Sequence, residues 1–173
     1  EKLHGNVKIS GSKNAALPMM AASVLTDEEV IIKNVPLLRD ILTMKEILEY
    51  LGVKVSIDEK NVMRINAANL KNKEAPYELV RKMRASICLL GPLLGRCGET
   101  KISMPGGCVI GPRPVDLHIK GIQSLGAQVN IVHGYIEAKG ELRGCSDIFL
   151  GGRFGSSVTA TANVMTVSYT HLR

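Results

Sequence analysis

Leu51-Gly52-Val53-Lys54-Val55 and Leu125-Gly126-Ala127-Gln128-Val129 are two versions of one phrase, and the residues before each repeat as well. Ahead of the first, Asp40–Tyr50 places Ile41, Met44 and Leu48 at helical spacing. Ahead of the second, Val115–Leu125 does the same. In each copy glycine stops the helix and short strands follow, at Val53–Ile57 and Val62–Ile65, then near Gln128–Ile131 and Tyr135–Ala138. Further upstream the match continues. Lys13-Asn-Ala-Ala-Leu-Pro-Met-Met-Ala-Ala-Ser-Val-Leu25 and Arg84-Ala-Ser-Ile-Cys-Leu-Leu-Gly-Pro-Leu-Leu94 each open on a cation and continue as an apolar helix. Turns at Thr26-Asp-Glu-Glu29 and Gly98-Glu99-Thr lead to strands at Val30–Ile32 and Lys101–Ser103. A third copy opens at Gly155-Ser-Ser-Val-Thr-Ala-Thr-Ala-Asn-Val-Met165. A repeated supersecondary unit is an architectural signal read before any motif. Two helices and several strands per unit, one helix apolar all round, predict an α/β fold with buried helices ringed by sheets.

The two complete copies differ in one place. Glu99 to Gly126 is longer than Glu29 to Gly52, and the extra residues fall at Met104-Pro-Gly-Gly-Cys108-Val-Ile-Gly-Pro-Arg113-Pro-Val-Asp-Leu-His118. Insertions at loop tips tend to carry function. The glycines leave the backbone beside Cys108 free to open and close. Pro112 and Pro114 stiffen the chain about Arg113, whose guanidinium matches phosphate through a planar fork of donors. Pro114 suits a helix start, and His118 is read equally as a packing residue or a functional one.

Composition limits the rest. The 173 residues are 45% hydrophobic and only 3% aromatic, which predicts an aliphatic core and no stacking platform for single-stranded nucleic acid. A formal net charge of +6 favours an anionic partner, but the basic residues are dispersed with no basic arm, so small phosphorylated ligands fit as well as nucleic acid. Cys88 and Cys97 sit in apolar runs and read as core. With Cys108 and Cys145 they form no Cys-x-x-Cys pair, so no metal site or cofactor is expected. The absence of a secretory leader or long apolar run predicts a cytoplasmic protein with reduced thiols and no membrane partner.

Three ordered motifs carry a family resemblance: Leu3-x-Gly-x-Val-x-Ile-Ser-Gly-Ser-Lys13-Asn14-Ala-Ala-Leu-Pro, Met83-Arg84-Ala-Ser, and Pro105-Gly-Gly-Cys108-x-Ile-Gly-x-Arg113-Pro-Val-Asp-Leu-His118. Across residues 3–165 the chain resembles the UDP-N-acetylglucosamine 1-carboxyvinyltransferases, bacterial enzymes that commit UDP-N-acetylglucosamine to peptidoglycan. The resemblance implies an inside-out α/β barrel of two domains, each of three βαβαββ units, closing over phosphoenolpyruvate and the nucleotide sugar. On that basis residues 1–11 form a strand of the second domain, residues 12–166 are an incomplete first domain, and the parent protein is longer. Residues 167–173 are polar, lack helical periodicity and look like translated sequencing-adapter sequence, so they are left out of the expected fold.

The same resemblance implies roles. Cys108 corresponds to the proton donor that can form a covalent adduct and is alkylated by fosfomycin. Lys13, Asn14 and Arg113 correspond to phosphoenolpyruvate contacts. Arg84, Arg113, Pro114, Val115, Asp116 and Leu117 correspond to the nucleotide-sugar site. Gly151, Gly152, Arg153 and Phe154 fall where the diphosphate is contacted, although the common form there, Ser-Val-Gly-Ala-Thr, is only loosely met by Arg-Phe-Gly-Ser-Ser. The aspartate base and further arginines would lie in the second domain. Two other readings remain at this point: a sister enolpyruvyl transferase acting on shikimate 3-phosphate, and a non-catalytic anion- or RNA-binding module suggested by net charge.

Overall fold

In the computed structural model the described residues are 2, 4–81, 83–104, 115–145, 147–152 and 155–171. Ser12 opens the first unit as the cap of α1 (Lys13–Ala22): its side chain accepts from the Ala15 N–H, and its carbonyl takes the Ala16 N–H at 3.0 Å. A 3-10 turn, Ser23–Leu25, follows. Then come β1 (Glu29–Ile32), α2 (Arg39–Tyr50), β2 (Lys54–Ile57) and β3 (Met63–Asn66). The strands form an antiparallel sheet in the order β1-β3-β2.

The second unit repeats this plan. After β4 (Glu74–Ala75) and the short α3 (Tyr77–Val80), a 3-10 segment Arg84–Leu89 runs into α4 (Leu90–Cys97). Next are β5 (Glu99–Ser103), α5 (Asp116–Ser124), β6 (Gln128–Val132) and β7 (Tyr135–Lys139), in the sheet order β4-β5-β7-β6. The order β5-β7-β6 reproduces β1-β3-β2, and in both sheets the glutamate opening the first strand pairs with the last residue of the third: Glu29 with Asn66, Glu99 with Lys139. Gly52 and Gly126, which stop the helices before the second strands, share nearly the same left-handed φ, +96° and +95°. The third unit contributes a two-stranded ribbon, β8 (Gly151–Gly152) with β9 (Gly155–Ser156), and the 14-residue α6 (Val158–His171).

Most expected elements are present, and the α/β class holds. Among the described residues the sheets are separate and open, and none closes on itself. One expected helix is two pieces, for a physical reason. Pro92 has no N–H and its ring crowds the carbonyl four residues earlier, so a continuous α-helix from Arg84 would be strained at Cys88. The 3-10 segment places Pro92 in the first turn of α4, where a missing donor costs nothing.

Complete burial of the apolar helices is corrected for two of the three. In α4, Leu90–Gly95 are all buried, but α1 leaves Met19 exposed and α6 leaves Val158 and Met165 exposed. Residues 4–12 belong to no strand, with Val7 87% and Ile9 82% exposed. Nor does α6 end at residue 166. The helix continues to His171, and Val167 is fully buried.

The core is aliphatic, as the composition predicted. One cluster joins the first two units through Met20, Ile41, Met44, Leu48, Ile65, Leu90, Leu93 and Ile136. A smaller one, Leu125, Leu150, Ala160, Val164 and Val167, seats α6 on α5. Each large side chain in them contributes about 1.5–3 kcal/mol by leaving water. Arg96 stitches the units together: its guanidinium donates to the carbonyls of Val24 (3.0 Å) and Ala67 (3.2 Å) and pairs with Asp27.

Candidate functional site

The predicted site residues gather at the heads of helices. Lys13 begins α1, and its Nζ lies 2.7 Å from Asp40 Oδ2 at the start of α2; both side chains remain more than a third exposed. A cation at a helix N-terminus backed by unpaired N–H groups suits an anion, and Asp40 occupies that cation here. Asn14 is exposed in the first turn of the same helix. Pro18 has no N–H to offer the Asn14 carbonyl four residues back.

A second group forms where the second and third units meet. Arg84 starts the 3-10 segment and is half-buried. Its positive charge reaches both Cys88 and His118, opposing protonation of the imidazole. Val115 caps α5, its carbonyl accepting the N–H groups of His118 (3.0 Å) and Ile119 (3.1 Å), and Asp116 supplies a carboxylate to the positive end of that helix. Leu117 leans on the α5–α6 cluster, and a side chain at Gly152 would touch it at 3.7 Å. Thus Leu117 lies beside Gly152, while the charges of Arg84 and Asp116 both act on His118, the next residue along α5. Cys108, Arg113, Pro114, Arg153 and Phe154 lie outside the described residues.

His118, left open between packing and function, is 99% buried and fully hydrogen-bonded. Its Nδ1 is 2.7 Å from Asn163 Nδ2, and its Nε2 is 3.1 Å from Thr159 Oγ1. Burial pushes its pKa down to about 4; Arg84 adds in the same direction and Asp116 opposes. Asn163 was absent from the predicted set. It too is buried, its Oδ1 accepting the Gly91 N–H at 3.1 Å and its Nδ2 donating to the Ile87 carbonyl at 2.8 Å. It therefore caps α4, which has no side-chain cap of its own. A polar residue opposite the cation-headed helix, in a run otherwise of Ala, Val and Thr, was the only hint in the sequence.

The core reading holds for Cys88, which is buried, and is corrected for Cys97, which sits half-exposed at the end of α4. Burial pushes Cys88 up to about 11 despite Arg84, and burial also raises the half-buried Cys97, so neither is a nucleophile near neutrality. Two surface depressions, of about 570 and 800 Å3, contain no predicted site residue. Four of the charges lining the first are paired, Lys73 with Glu99 and Lys101 with Glu137. Among the described residues no His, Cys, Asp and Glu group could hold a metal ion, and no helix is long and apolar enough to cross a membrane.

The family model for EPSP synthase (3-phosphoshikimate 1-carboxyvinyltransferase) matches residues 1–171. The chain belongs to the EPSP synthase family. Among curated members of that family, a UDP-N-acetylglucosamine 1-carboxyvinyltransferase of Methylacidiphilum infernorum (isolate V4) is 53% identical over 163 residues, 94% of this chain and 38% of that protein. Two solved structures share the fold at low identity. The enolpyruvyl transferase NikO of Streptomyces tendae has TM-score 0.77 and 20% identity, and an EPSP synthase of Acinetobacter baumannii has TM-score 0.69 and 13% identity. Each match covers 96% of this chain and 38% of the other, so the chain spans little more than a third of the proteins it matches.

Proposed function

We propose that this chain is the first part of a UDP-N-acetylglucosamine enolpyruvyl transferase, a cytoplasmic bacterial enzyme of peptidoglycan synthesis. The observation that carries this reading is the high identity to the Methylacidiphilum infernorum protein of that name, maintained over nearly the whole chain. The reaction joins the 3-hydroxyl oxygen of the sugar to C2 of phosphoenolpyruvate as a proton is added to the methylene carbon. The resulting ketal then expels phosphate and loses a methyl proton to leave the enol ether. Addition needs a proton donor, a base and cations for the phosphate and carboxylate.

Cys108 is assigned as the donor. A thiol lowered toward neutrality by neighbouring cations serves as acid or nucleophile. Lys13, Asn14 and Arg113 are assigned to phosphoenolpyruvate, with Lys13 exchanging Asp40 for the donor's phosphate. Arg84 and Arg113–Leu117 are assigned to the nucleotide sugar, together with Gly151–Phe154. The common form Ser-Val-Gly-Ala-Thr is also met, with one change, by Ser157-Val158-Thr159-Ala160-Thr161 at the head of α6, so the diphosphate contacts are proposed to extend there. The base and further arginines are assigned to a second domain, and no cofactor takes part.

The family description itself names the sister reaction on shikimate 3-phosphate. Calorimetric titration of the full-length protein separates the two. UDP-N-acetylglucosamine is expected to bind, and shikimate 3-phosphate is not. The reverse result would replace this reading with the sister enzyme. The full-length protein is further expected to release phosphate from the two substrates and to lose activity on fosfomycin treatment, with Cys108→Ala resisting alkylation. The 173-residue chain alone is expected to release none.

A further inference from the structure

Asn163 bonds two backbone groups of opposite kind: the Gly91 N–H can only donate, and the Ile87 C=O can only accept. Together they fix which end of the amide is oxygen and which is nitrogen. The remaining Nδ2 hydrogen then points at His118 Nδ1, 2.7 Å away, so that ring nitrogen must be the acceptor. A neutral imidazole that accepts at Nδ1 carries its proton on Nε2. That proton is donated to Thr159 Oγ1 at 3.1 Å. While accepting from Nε2 the Thr159 hydroxyl still has its own hydrogen and a second lone pair to share with Ser157 Oγ, 3.4 Å away, whose oxygen also takes the Ala160 N–H at 3.2 Å. The hydrogen bonds thus run in one direction from the buried amide through the imidazole to the Thr159 hydroxyl, which meets that of Ser157 at the head of α6. They link the second unit's α4 and α5 to the third unit's helix.

We propose that Asn163 is a positioning residue for nucleotide-sugar binding: it holds His118 in the Nε2–H tautomer and so orients the Thr159 and Ser157 hydroxyls beside the Val115–Leu117 segment. The substrate part of this inference rests on the function proposed above; the tautomer part rests on geometry alone. The buried amide and imidazole are satisfied together only in this arrangement, and a buried polar group left without its partner is costly. Reversing one link therefore reorganises the rest.

The test uses the full-length protein. In the unaltered protein, 15N NMR of His118 is expected to show a pyrrole-type Nε2 and a pyridine-type Nδ1; the opposite pattern overturns the inference without any variant. Asn163→Asp places a carboxylate oxygen against Nδ1 and is expected to move the proton there. The dissociation constant for UDP-N-acetylglucosamine should rise about tenfold with kcat changed far less, since about one hydrogen bond's worth of orientation is lost. Asn163→Ser, a milder change that also removes the amide donor, is read in the same way and guards against a folding failure of the first variant. A residue that merely filled space would lower stability in these variants without shifting the tautomer. Unchanged affinity in both folded variants overturns the inference while leaving the proposed function standing. No binding by the unaltered protein overturns the proposed function, and the nucleotide-sugar part of the inference with it.

Discussion

Acid should destabilise this fold through one imidazole. His118 is buried as a neutral donor–acceptor, with Arg84 facing it and Asp116 offering partial relief, and its pKa falls from 6.5 to about 4. Above pH ~6.5 the group is neutral in both folded and unfolded chains and pH has no leverage through it. As pH falls from there toward 4, the unfolded chain takes up a proton that the folded one refuses, so stability drops with pH across that window and levels off below it. Each unit of depression corresponds to about 1.4 kcal/mol, giving about 3 kcal/mol when fully developed, most of it by pH ~4.5. Against a typical domain stability of about 5–15 kcal/mol this is a large share. The assay is urea unfolding followed by circular dichroism between pH 7.5 and 4.5, comparing the unaltered chain with His118→Gln. The variant starts less stable, having lost the imidazole's fit, but lacks the titrating group, so the gap between the two should close by about 2–3 kcal/mol as pH falls. Carboxylates titrate in both proteins and cancel in the difference. Curves that fall in parallel would refute the reasoning, because they would mean that the folded chain accepts the proton as readily as the unfolded one.

Three other outcomes are expected. Gly91→Ala puts a methyl group 2.4 Å from the Asn163 carbonyl oxygen and 2.8 Å from Val167, so overpacking of about 1–3 kcal/mol outweighs a helix-propensity gain of about 1 kcal/mol. Its melting temperature should fall, and a rise would show that α4 and α6 are not in contact here. Arg96→Met removes the donor to two carbonyls and should cost about 2–3 kcal/mol in denaturant unfolding, more than any single surface pair. Asp40→Asn should change stability by less than about 0.5 kcal/mol, since the pair is half-exposed, while tightening phosphoenolpyruvate binding to the full-length protein by freeing Lys13. Weaker binding would assign Asp40 to holding Lys13 in place instead.

Much of the scaffold was legible because it is local and periodic. Ile41, Met44, Leu48 and Leu51 mark one helical face, and all four are buried. The Leu-Gly stops recur with the same left-handed glycine, and the repeat in sequence became a repeat in strand order. What escaped reading depended on partners distant in the chain. β4 is two residues long and exists only because Glu74 and Ala75 pair in parallel with Lys101 and Ile102, and α3 is a single turn. Val167 looked like the start of a polar tail, yet it is covered by α4, which no local pattern reveals. Of the residues proposed for the site, Lys13, Asn14, Arg84 and Val115–Leu117 could be picked out by their motifs. Asn163 could not, since an asparagine becomes a bolt only once two backbone groups and an imidazole from distant parts of the chain converge on it.

That convergence has a modular consequence. Repeated units lean on their neighbours to bury their apolar faces, and here the amide closing the second copy's helix is also supplied by the third. Once neighbours lend each other such groups, a boundary drawn between them in the gene no longer marks a seam in the molecule. Neither copy can be swapped or excised without leaving the other with an open valence.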